Sequence, residues 1–296
     1  MTSIAEVVNA TREDFLYAGA TPQLTRLMSS ATAGATSLVV EDASGIGTGT
    51  RISIDFEEFH VWSKASNTLT VTGAFAGSTA AAHASGAIVT ISPEYSDAKI
   101  LRSVQAAVEQ LRHEPGLYRV THVDFDPPHT SEFNLGPAPS ASDESSVAGV
   151  LEVLIATDDP EEPWIRSRPV DVIQAGDADG SDAIVIIPEI RHYNEKVRIV
   201  KRSPLGTVTA ATANVEADTG ILNTDLISVG AALRLGAGRA IRRTSLHSQG
   251  DARRSNEVAA FSTGNATREL ERRYKSLLQA EVIRLQRQYP YRKMNR

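Results

Sequence analysis

The sequence predicts an α+β fold, in which a helical core with a long C-terminal helix carries two inserted antiparallel β modules. Apolar residues recur at helical spacing near both ends of the chain and around residue 100, whereas the stretches between them alternate polar and apolar residues. Strands at this spacing, separated by polar turns, are typical of a sandwich rather than of βαβ units. The first module is therefore predicted to be a small β-barrel or sheet, and the second a β-sandwich.

Four helices are predicted to build the core. Ser3 and Glu6 have the spacing of a capping box, and Ser92 followed by Pro93 predicts the start of the second helix. The first helix is too short to be stable alone, so we expect it to pack against the others. The four helices are predicted at residues 3–16, 93–112, 226–243 and 266–289. The core is assigned to residues 1–29, 93–116 and 226–290, with a basic tail at 291–296.

The two β modules are assigned to residues 30–92 and 117–225. In the first, Ile52, Ile54 and Phe56 alternate with polar residues, which predicts a strand with one buried face in a sheet of about five strands. In the second, the strand candidates are residues 117–125, 147–157, 165–173, 183–187 and 195–201. The Ala- and Thr-rich stretch 207–219 is predicted to be a loop.

Composition excludes several classes of protein. The chain has no Cys, which excludes disulfides and thiolate metal sites and is typical of assembly in a reducing cytoplasm. No apolar run approaches the ~18 residues that a membrane span needs, and the N-terminus lacks the pattern of a signal peptide. The net charge of −6 argues against general DNA binding, although a local basic patch could still meet an acidic surface.

The C-terminal segment concentrates positive charge. Residues 268–296 contain nine basic and three acidic residues, a net charge of +6, so the other 267 residues carry −12. The segment reads as an amphipathic helix that Pro290 ends, followed by a tail too short to fold alone, which indicates docking onto a partner. An ordinary surface helix with a frayed end is the alternative. The predicted partner-binding residues are Arg284, Arg287, Tyr289, Tyr291, Arg292, Lys293, Met294 and Arg296.

No catalytic, cofactor-binding or metal-binding residues are predicted. Gly45–Gly49 resembles a phosphate loop, but a strand follows it where an anion site needs a helix N-terminus, so we interpret it as a hairpin turn. Asp177–Asp182 lacks the glycine and glutamate of an EF-hand, and a solvated turn is preferred over another kind of calcium loop. Glu57 and Glu58 are interpreted as part of a solvated acidic loop, and single His residues as loop or surface residues. A glycan hydrolase would need two carboxylates in an aromatic cleft, which the few aromatics of the second module disfavour.

Four segments together resemble the head-to-tail adaptor, or neck, proteins of long-tailed bacteriophages, especially those of actinobacterial hosts. They are Arg51–Trp62, Gly73–Val89, Ser96–Arg102 and Ser248–Arg254, the last followed by the terminal helix ending in Arg287-Gln-Tyr-Pro290. The second segment contains Gly-Ser-Thr-Ala-Ala-Ala-His-Ala-Ser-Gly, which also occurs in other phage tail and neck proteins. The resemblance spans most of the chain in outline, but residues 117–225 match no motif.

The resemblance implies a structural virion protein that is not an enzyme. Its implied partners are the portal protein, a tail-side neck or tail terminator protein, and further copies of itself in a twelvefold ring. DNA would pass through the lumen without specific binding, and no membrane would be involved. We expect the arm Tyr289–Arg296 to order only on binding its partner. A minor tail or tail-tip protein, whose β modules bind a host surface or a glycan, is the alternative.

Overall fold

The fold is mixed α and β, as the sequence predicts, and we describe it from a computed structural model. The structure describes residues 2–16, 23–126, 132–137, 149–156, 164–167, 171–173, 182–186, 196–208, 214–247 and 262–289. Its α-helices are α1 (Ile4–Thr11), α2 (Asp97–Arg112), α3 (Val215–Thr219), α4 (Thr224–His247) and α5 (Ser262–Gln288).

The helices from both ends of the chain share one hydrophobic core. Ile4 of α1 and Leu285 of α5 belong to the same cluster of buried side chains, and α1, α2 and α5 each pack on α4. The capping box at α1 is confirmed: Glu6 N–H donates to Ser3 Oγ, and Ser3 N–H donates to the Glu6 carboxylate at 2.8 Å. The end of the predicted first helix continues as a π-helical turn over Arg12–Leu16.

The second helix begins later than its sequence signal. Ser96, not Ser92, caps α2, and its hydroxyl accepts a hydrogen bond from Lys99 N–H. Ser92 instead has a φ of 49°, a left-handed conformation that ends the preceding strand. The apolar residues that recur at helical spacing around residue 100 predict a buried face of this helix, and the prediction is confirmed because each of them is buried: Ile100, Val104, Ala107, Val108 and Leu111.

Six antiparallel strands form a curled sheet in the first β region. The strands are β1 (Gln23–Arg26), β2 (Ser37–Val39), β3 (Arg51–Ile54), β4 (Glu57–Ala65), β5 (Thr68–Thr72) and β6 (Ile88–Ile91), in the order β1-β6-β3-β4-β5-β2. The sheet curls until its two edge strands meet: Met28 N–H donates to Val39 O, and Glu41 N–H donates to Arg26 O, both at 2.8 Å. This closure leaves no open edge between β1 and β2.

The curled sheet has its own hydrophobic core. Ile52 and Ile54 are fully buried within it, as the alternation predicts, whereas Phe56 is only half-buried in the turn between β3 and β4. Strand β1 was not predicted. Its sequence, Gln-Leu-Thr-Arg, lacks the β-branched run that marks a strand, and the structure places it in the sheet, before the predicted boundary at residue 30.

The second β region contains two further antiparallel sheets. The strands are β7 (Arg119–Phe125), β8 (Glu132–Pro137), β9 (Gly149–Ala156), β10 (Trp164–Ser167), β11 (Asp171–Ile173), β12 (Asp182–Ile186) and β13 (Val197–Ser203). One sheet has the order β10-β9-β13-β7 and the other β11-β12-β8. Strand β8 lies where no strand was predicted, and α3 replaces part of the loop predicted over 207–219.

The helical core extends into the second predicted module. Leu117, Leu205, Val215 and Ile221 all lie in the core that the helices share, although the sequence assigns them to residues 117–225. The reason is that these residues flank the four-stranded sheet, where the chain enters and leaves the helices. Most of Asp177–Asp182, the possible calcium loop, lies outside the described residues.

Candidate partner-binding surface at the C-terminal helix

The apolar face of α5 is bound to the core. Leu285 is buried, and Tyr274, Leu277, Leu278 and Val282 are half-buried against the same cluster. The helical spacing of these residues predicted the face correctly. Because the face is occupied within the chain, only the outer face and the C-terminal end of α5 remain to meet a partner.

Two glycines allow α5 to approach this closely. A Cβ at Gly230 of α4 would lie 3.2 Å from Tyr274 Cε2, and a Cβ at Gly116 would lie 3.2 Å from Val282 Cγ1. Gly230, which weakens the helical pattern of α4 in the sequence, therefore leaves room for the ring of Tyr274. Burial, with the Glu114 carboxylate nearby, raises the pKa of Tyr274 above its ordinary value.

A buried ion pair fixes the last turns of α5. The carboxylate of Glu281 is 4% exposed; it accepts Arg284 Nη2 at 2.7 Å and Arg284 Nε at 3.0 Å. The backbone N–H of Leu222 also donates to it, at 3.2 Å. A buried carboxylate needs such donors to offset its lost hydration. Arg284, a predicted partner-binding residue, is thus engaged by residues of its own helix.

The exposed surface beyond this pair combines charge with apolar area. Arg287 is exposed and Ile283 is 46% exposed, and they line an open depression together with Ala280, Arg284 and Gln288. Tyr289 is half-buried, and its N–H donates to Leu285 O at 2.9 Å. The other predicted partner-binding residues lie outside the described residues: Tyr291, Arg292, Lys293, Met294 and Arg296. A cationic rim around an apolar side chain is suited to an acidic protein surface.

A second cluster of charged side chains was not anticipated. His83 is 3% exposed and lies between two carboxylates: its Nε2 is 2.9 Å from Glu57 Oε2, and its Nδ1 is 2.9 Å from Asp55 Oδ2. Glu57, 1% exposed, also accepts the backbone N–H groups of Ala74 and Ala81 at 2.9 and 2.8 Å. Both ring nitrogens lie within hydrogen-bond distance of a carboxylate oxygen.

A glycine makes room for this cluster. A Cβ at Gly73 would lie only 2.4 Å from Glu57 Oε1. The cluster joins the turn before β4 to the segment 73–83, so it fixes one end of the curled sheet. Because carboxylates contact both nitrogens of His83, the buried ring crosslinks the turn before β4 to this segment.

The neighbouring Glu58 links the sheet to the helices. Glu58 is 6% exposed; the Ser96 hydroxyl, which caps α2, donates to its Oε1, and Arg102 Nη2 lies 3.7 Å from the same oxygen. The interpretation of Glu57 and Glu58 as a solvated acidic loop is therefore wrong, and so is that of His83 as a surface residue. The available signal was the position of the two glutamates inside an alternating strand, where a polar residue on the inner face needs a buried partner.

The described residues hold no group of three or more His, Asp or Glu side chains arranged to bind a metal ion. Among the described helices, none is long and apolar enough to cross a membrane. No protein-family model matches the chain, and no curated protein is significantly similar to it.

Proposed function

We propose that the protein is a structural protein of a phage neck, which forms a ring between the portal and the tail and lines the channel for DNA. The observation that carries the proposal is the C-terminal end of α5. There a helix held in the core by Leu285 and by the hydrogen bond from Leu222 N–H to Glu281 presents Arg287 and Ile283 outward and leads into a basic tail. The segment resemblance stated above gives the class of partner.

The charge distribution supports docking rather than DNA binding. The segment 268–296 carries +6, and the rest of the chain carries −12. An acidic body weakens contacts with DNA phosphates, which suits a channel that DNA must slide through. A basic end on the same chain can still bind an acidic partner surface, for which we propose the portal.

The domain organisation supports an adaptor built around helices. Both ends of the chain enter one helical core, so we interpret the β regions as insertions into that core. We interpret the three- and four-stranded sheets as a sandwich-like module. The edge-to-face contact of Phe125 with Phe133, with ring centroids 5.1 Å apart, joins one sheet to the other and supports this interpretation.

The test is portal binding by variants that leave the core of α5 intact. Cutting the chain at residue 266 would remove Leu285 and the rest of the helix from the core, so loss of binding could simply report misfolding. Deleting residues 290–296 avoids this. We expect the full-length protein to join the portal ring encoded in the same genome, and the deletion to lose that association when measured by native mass spectrometry.

A charge reversal provides the matched comparison. Arg287 and Arg272 are both exposed on α5, but only Arg287 lies at its C-terminal end. We expect Arg287→Glu to weaken portal binding about tenfold or more and Arg272→Glu to leave it nearly unchanged. Equal binding by every variant would refute the role of this surface. No portal binding by the full-length protein would favour a minor tail or tail-tip protein instead.

A further inference from the structure

We infer that the outer face of the curled sheet binds an oligosaccharide that carries a carboxylate. The inference does not rest on the neck function, because it concerns side chains of the sheet and not the surface of α5. The site is a row of four side chains on β3, on β4 and in the segment after β5. It is defined here as the aromatic row and consists of Arg51, Phe75, His60 and Trp62.

Consecutive members of the aromatic row contact one another. The Arg51 guanidinium lies over the Phe75 ring, 5.2 Å from its centre, and Phe75 stacks on His60 with the ring centres 5.1 Å apart. The His60 ring meets the Trp62 ring edge to face, with the ring centres 4.5 Å apart. The cation of Arg51 and the indole of Trp62 therefore lie at the two ends of one continuous surface.

Trp62 presents an aromatic face in a fixed position. It is the extra residue of a β-bulge in β4, since the residues before and after it pair with consecutive residues of β5. A bulge of this kind changes the direction in which a side chain points. Trp62 is 57% exposed, and its Nε1 donates to Thr72 Oγ1 at 2.7 Å. The indole is therefore held in place while it stays open to a ligand that stacks on it.

The turn that carries Phe75 has a strained backbone. Ala74 and Ala76, on either side of Phe75, have φ values of 51° and 52°, in the left-handed region that residues with a Cβ rarely adopt. Ala74 N–H donates to the buried carboxylate of Glu57 at 2.9 Å. The Ala76 carbonyl accepts a hydrogen bond from Arg102 Nη1. Strain of this kind persists where surrounding contacts impose it, and it is concentrated at binding sites.

The guanidinium of Arg51 is available to an anion. A guanidinium that lies over a ring directs its N–H groups sideways, where their geometry matches the two oxygens of a carboxylate. Within the described residues, no carboxylate pairs with Arg51. A ligand that spans the aromatic row therefore meets an aromatic face at one end and an unpaired cation at the other.

The surroundings of Trp62 fit a sugar ring. The C–H groups of a pyranose pack against an aromatic face, because that face carries partial negative charge. Thr70 and Thr72 are exposed on β5 beside the indole, and their hydroxyls can both donate to and accept from the hydroxyls of a sugar. A sugar ring on Trp62 and a carboxylate at Arg51 together describe an acidic oligosaccharide, of the uronic acid or sialic acid type.

Two other classes of ligand fit the aromatic row less well. A single-stranded nucleic acid needs a groove with several cations, but Lys64, the next cation along β4, donates to the Ala43 carbonyl. The chain outside residues 268–296 also carries −12, which repels a phosphate backbone. The anchor of a protein interface is surrounded by groups that exclude water, whereas exposed hydroxyls adjoin Trp62.

The test measures the binding of saccharides to the full chain by isothermal titration calorimetry. The acidic probes are tetragalacturonate, a hyaluronan tetrasaccharide and sialyllactose, and the neutral probes are chitotetraose and lactose. A thymidine octanucleotide is the probe for single-stranded DNA. We expect at least one acidic probe to bind with a Kd below about 1 mM, and the neutral probes to bind about tenfold more weakly or less.

Two variants separate the two ends of the site, after circular dichroism shows that each is folded. Trp62→Ala should weaken binding of the acidic probe about tenfold or more, because the sugar ring loses its stacking surface. Arg51→Gln should remove the preference for acidic over neutral probes, because the carboxylate loses its cation. Thr68→Ala, at an exposed position of β5 outside the row, should bind like the wild type.

Three results would overturn the inference: no binding of any acidic probe up to about 10 mM, equal binding of acidic and neutral probes, or unchanged binding by Trp62→Ala. Tighter binding of the octanucleotide than of every saccharide, lost in Trp62→Ala, would make the row a site for single-stranded DNA and would also overturn it. Portal binding is measured separately. Saccharide binding by a protein that does not bind the portal would refute the neck function, leave this site standing and favour the tail-tip alternative.

Discussion

The buried pair of Glu57 and His83 should contribute strongly to the stability of the curled sheet. Replacing His83 by Ala leaves the Glu57 carboxylate, 1% exposed, without its side-chain partner, and breaking a buried pair in this way typically costs about 3–5 kcal/mol. The amides of Ala74 and Ala81 still donate to Glu57, which reduces the penalty. We therefore expect His83→Ala to lower the free energy of unfolding by about 3 kcal/mol.

Asp55 supplies the matched control, because it contacts the same ring from the solvent side. Its side chain is 61% exposed, so Asp55→Asn should cost less than about 1 kcal/mol. Both variants are measured by urea denaturation at neutral pH in a Trp164→Phe background, so that the fluorescence of Trp62 alone reports on the sheet. A double variant with Glu57→Gln should show coupling of about 1–3 kcal/mol between the two buried positions. Equal costs for His83→Ala and Asp55→Asn, or additive costs in the double variant, would refute the reasoning.

Three further predictions concern the helical core. Gly230→Ala should destabilise the protein by about 1–3 kcal/mol in thermal denaturation, because the steric cost of the new Cβ against Tyr274 should outweigh the gain in helix propensity. Unchanged stability would contradict the close packing of α4 on α5. Arg284→Met should cost about 3 kcal/mol, since Glu281 remains buried without its cation, and Glu281→Gln in the same chain should restore part of the loss. Burial raises the pKa of Asp97, so the folded state keeps the proton of this carboxyl to a higher pH than the unfolded state does. The contribution of Asp97 to stability therefore falls as the pH rises between the two pKa values. Denaturation of the wild type and of Asp97→Asn between about pH 3.5 and about pH 7 should show that the variant gains stability relative to the wild type as the pH rises.

The helices could be predicted because their signals are local. The stripe from Ile100 to Leu111 and the spacing from Tyr274 to Leu285 each lie within one element, and packing against a shared core preserved both. The predicted start of α2 was wrong because two serines close together carry the same capping signal. Ser92 and Ser96 can both cap a helix, and Ser96, the one that does, also donates its hydroxyl to Glu58, which lies 38 residues away in the chain.

The charged clusters could not be predicted, because their partners are distant in sequence. Glu57 and His83 are separated by 26 residues, and the sequence around each residue does not indicate that the other is its partner. Strand β1 was missed for a related reason: its strand character comes from pairing with β6 and from the closure at Leu27 and Val40, not from its own residues. The C-terminal surface was half predictable, since the sequence shows the charge of Arg284 and Arg287 but not that Glu281 binds the first of them.

Strand β4 connects the curled sheet to the helical core that carries α5. Its inner row, with Glu57, is fixed by His83, while its outer row runs from Glu58 through His60 to Trp62. At one end of that outer row, Glu58 accepts the hydroxyl that caps α2, and α2 packs on α4, which in turn carries α5. At the other end, Trp62 faces solvent.

A single chain of contacts therefore links β4 of the curled sheet to the C-terminal end of α5. We propose that the buried side chains of β4 help to set the position in which α5 meets the portal. Loosening them, as in His83→Ala, should then weaken portal binding at temperatures where the helical core remains folded. A variant that lost sheet stability but bound the portal like the wild type would show that the sheet does not position α5.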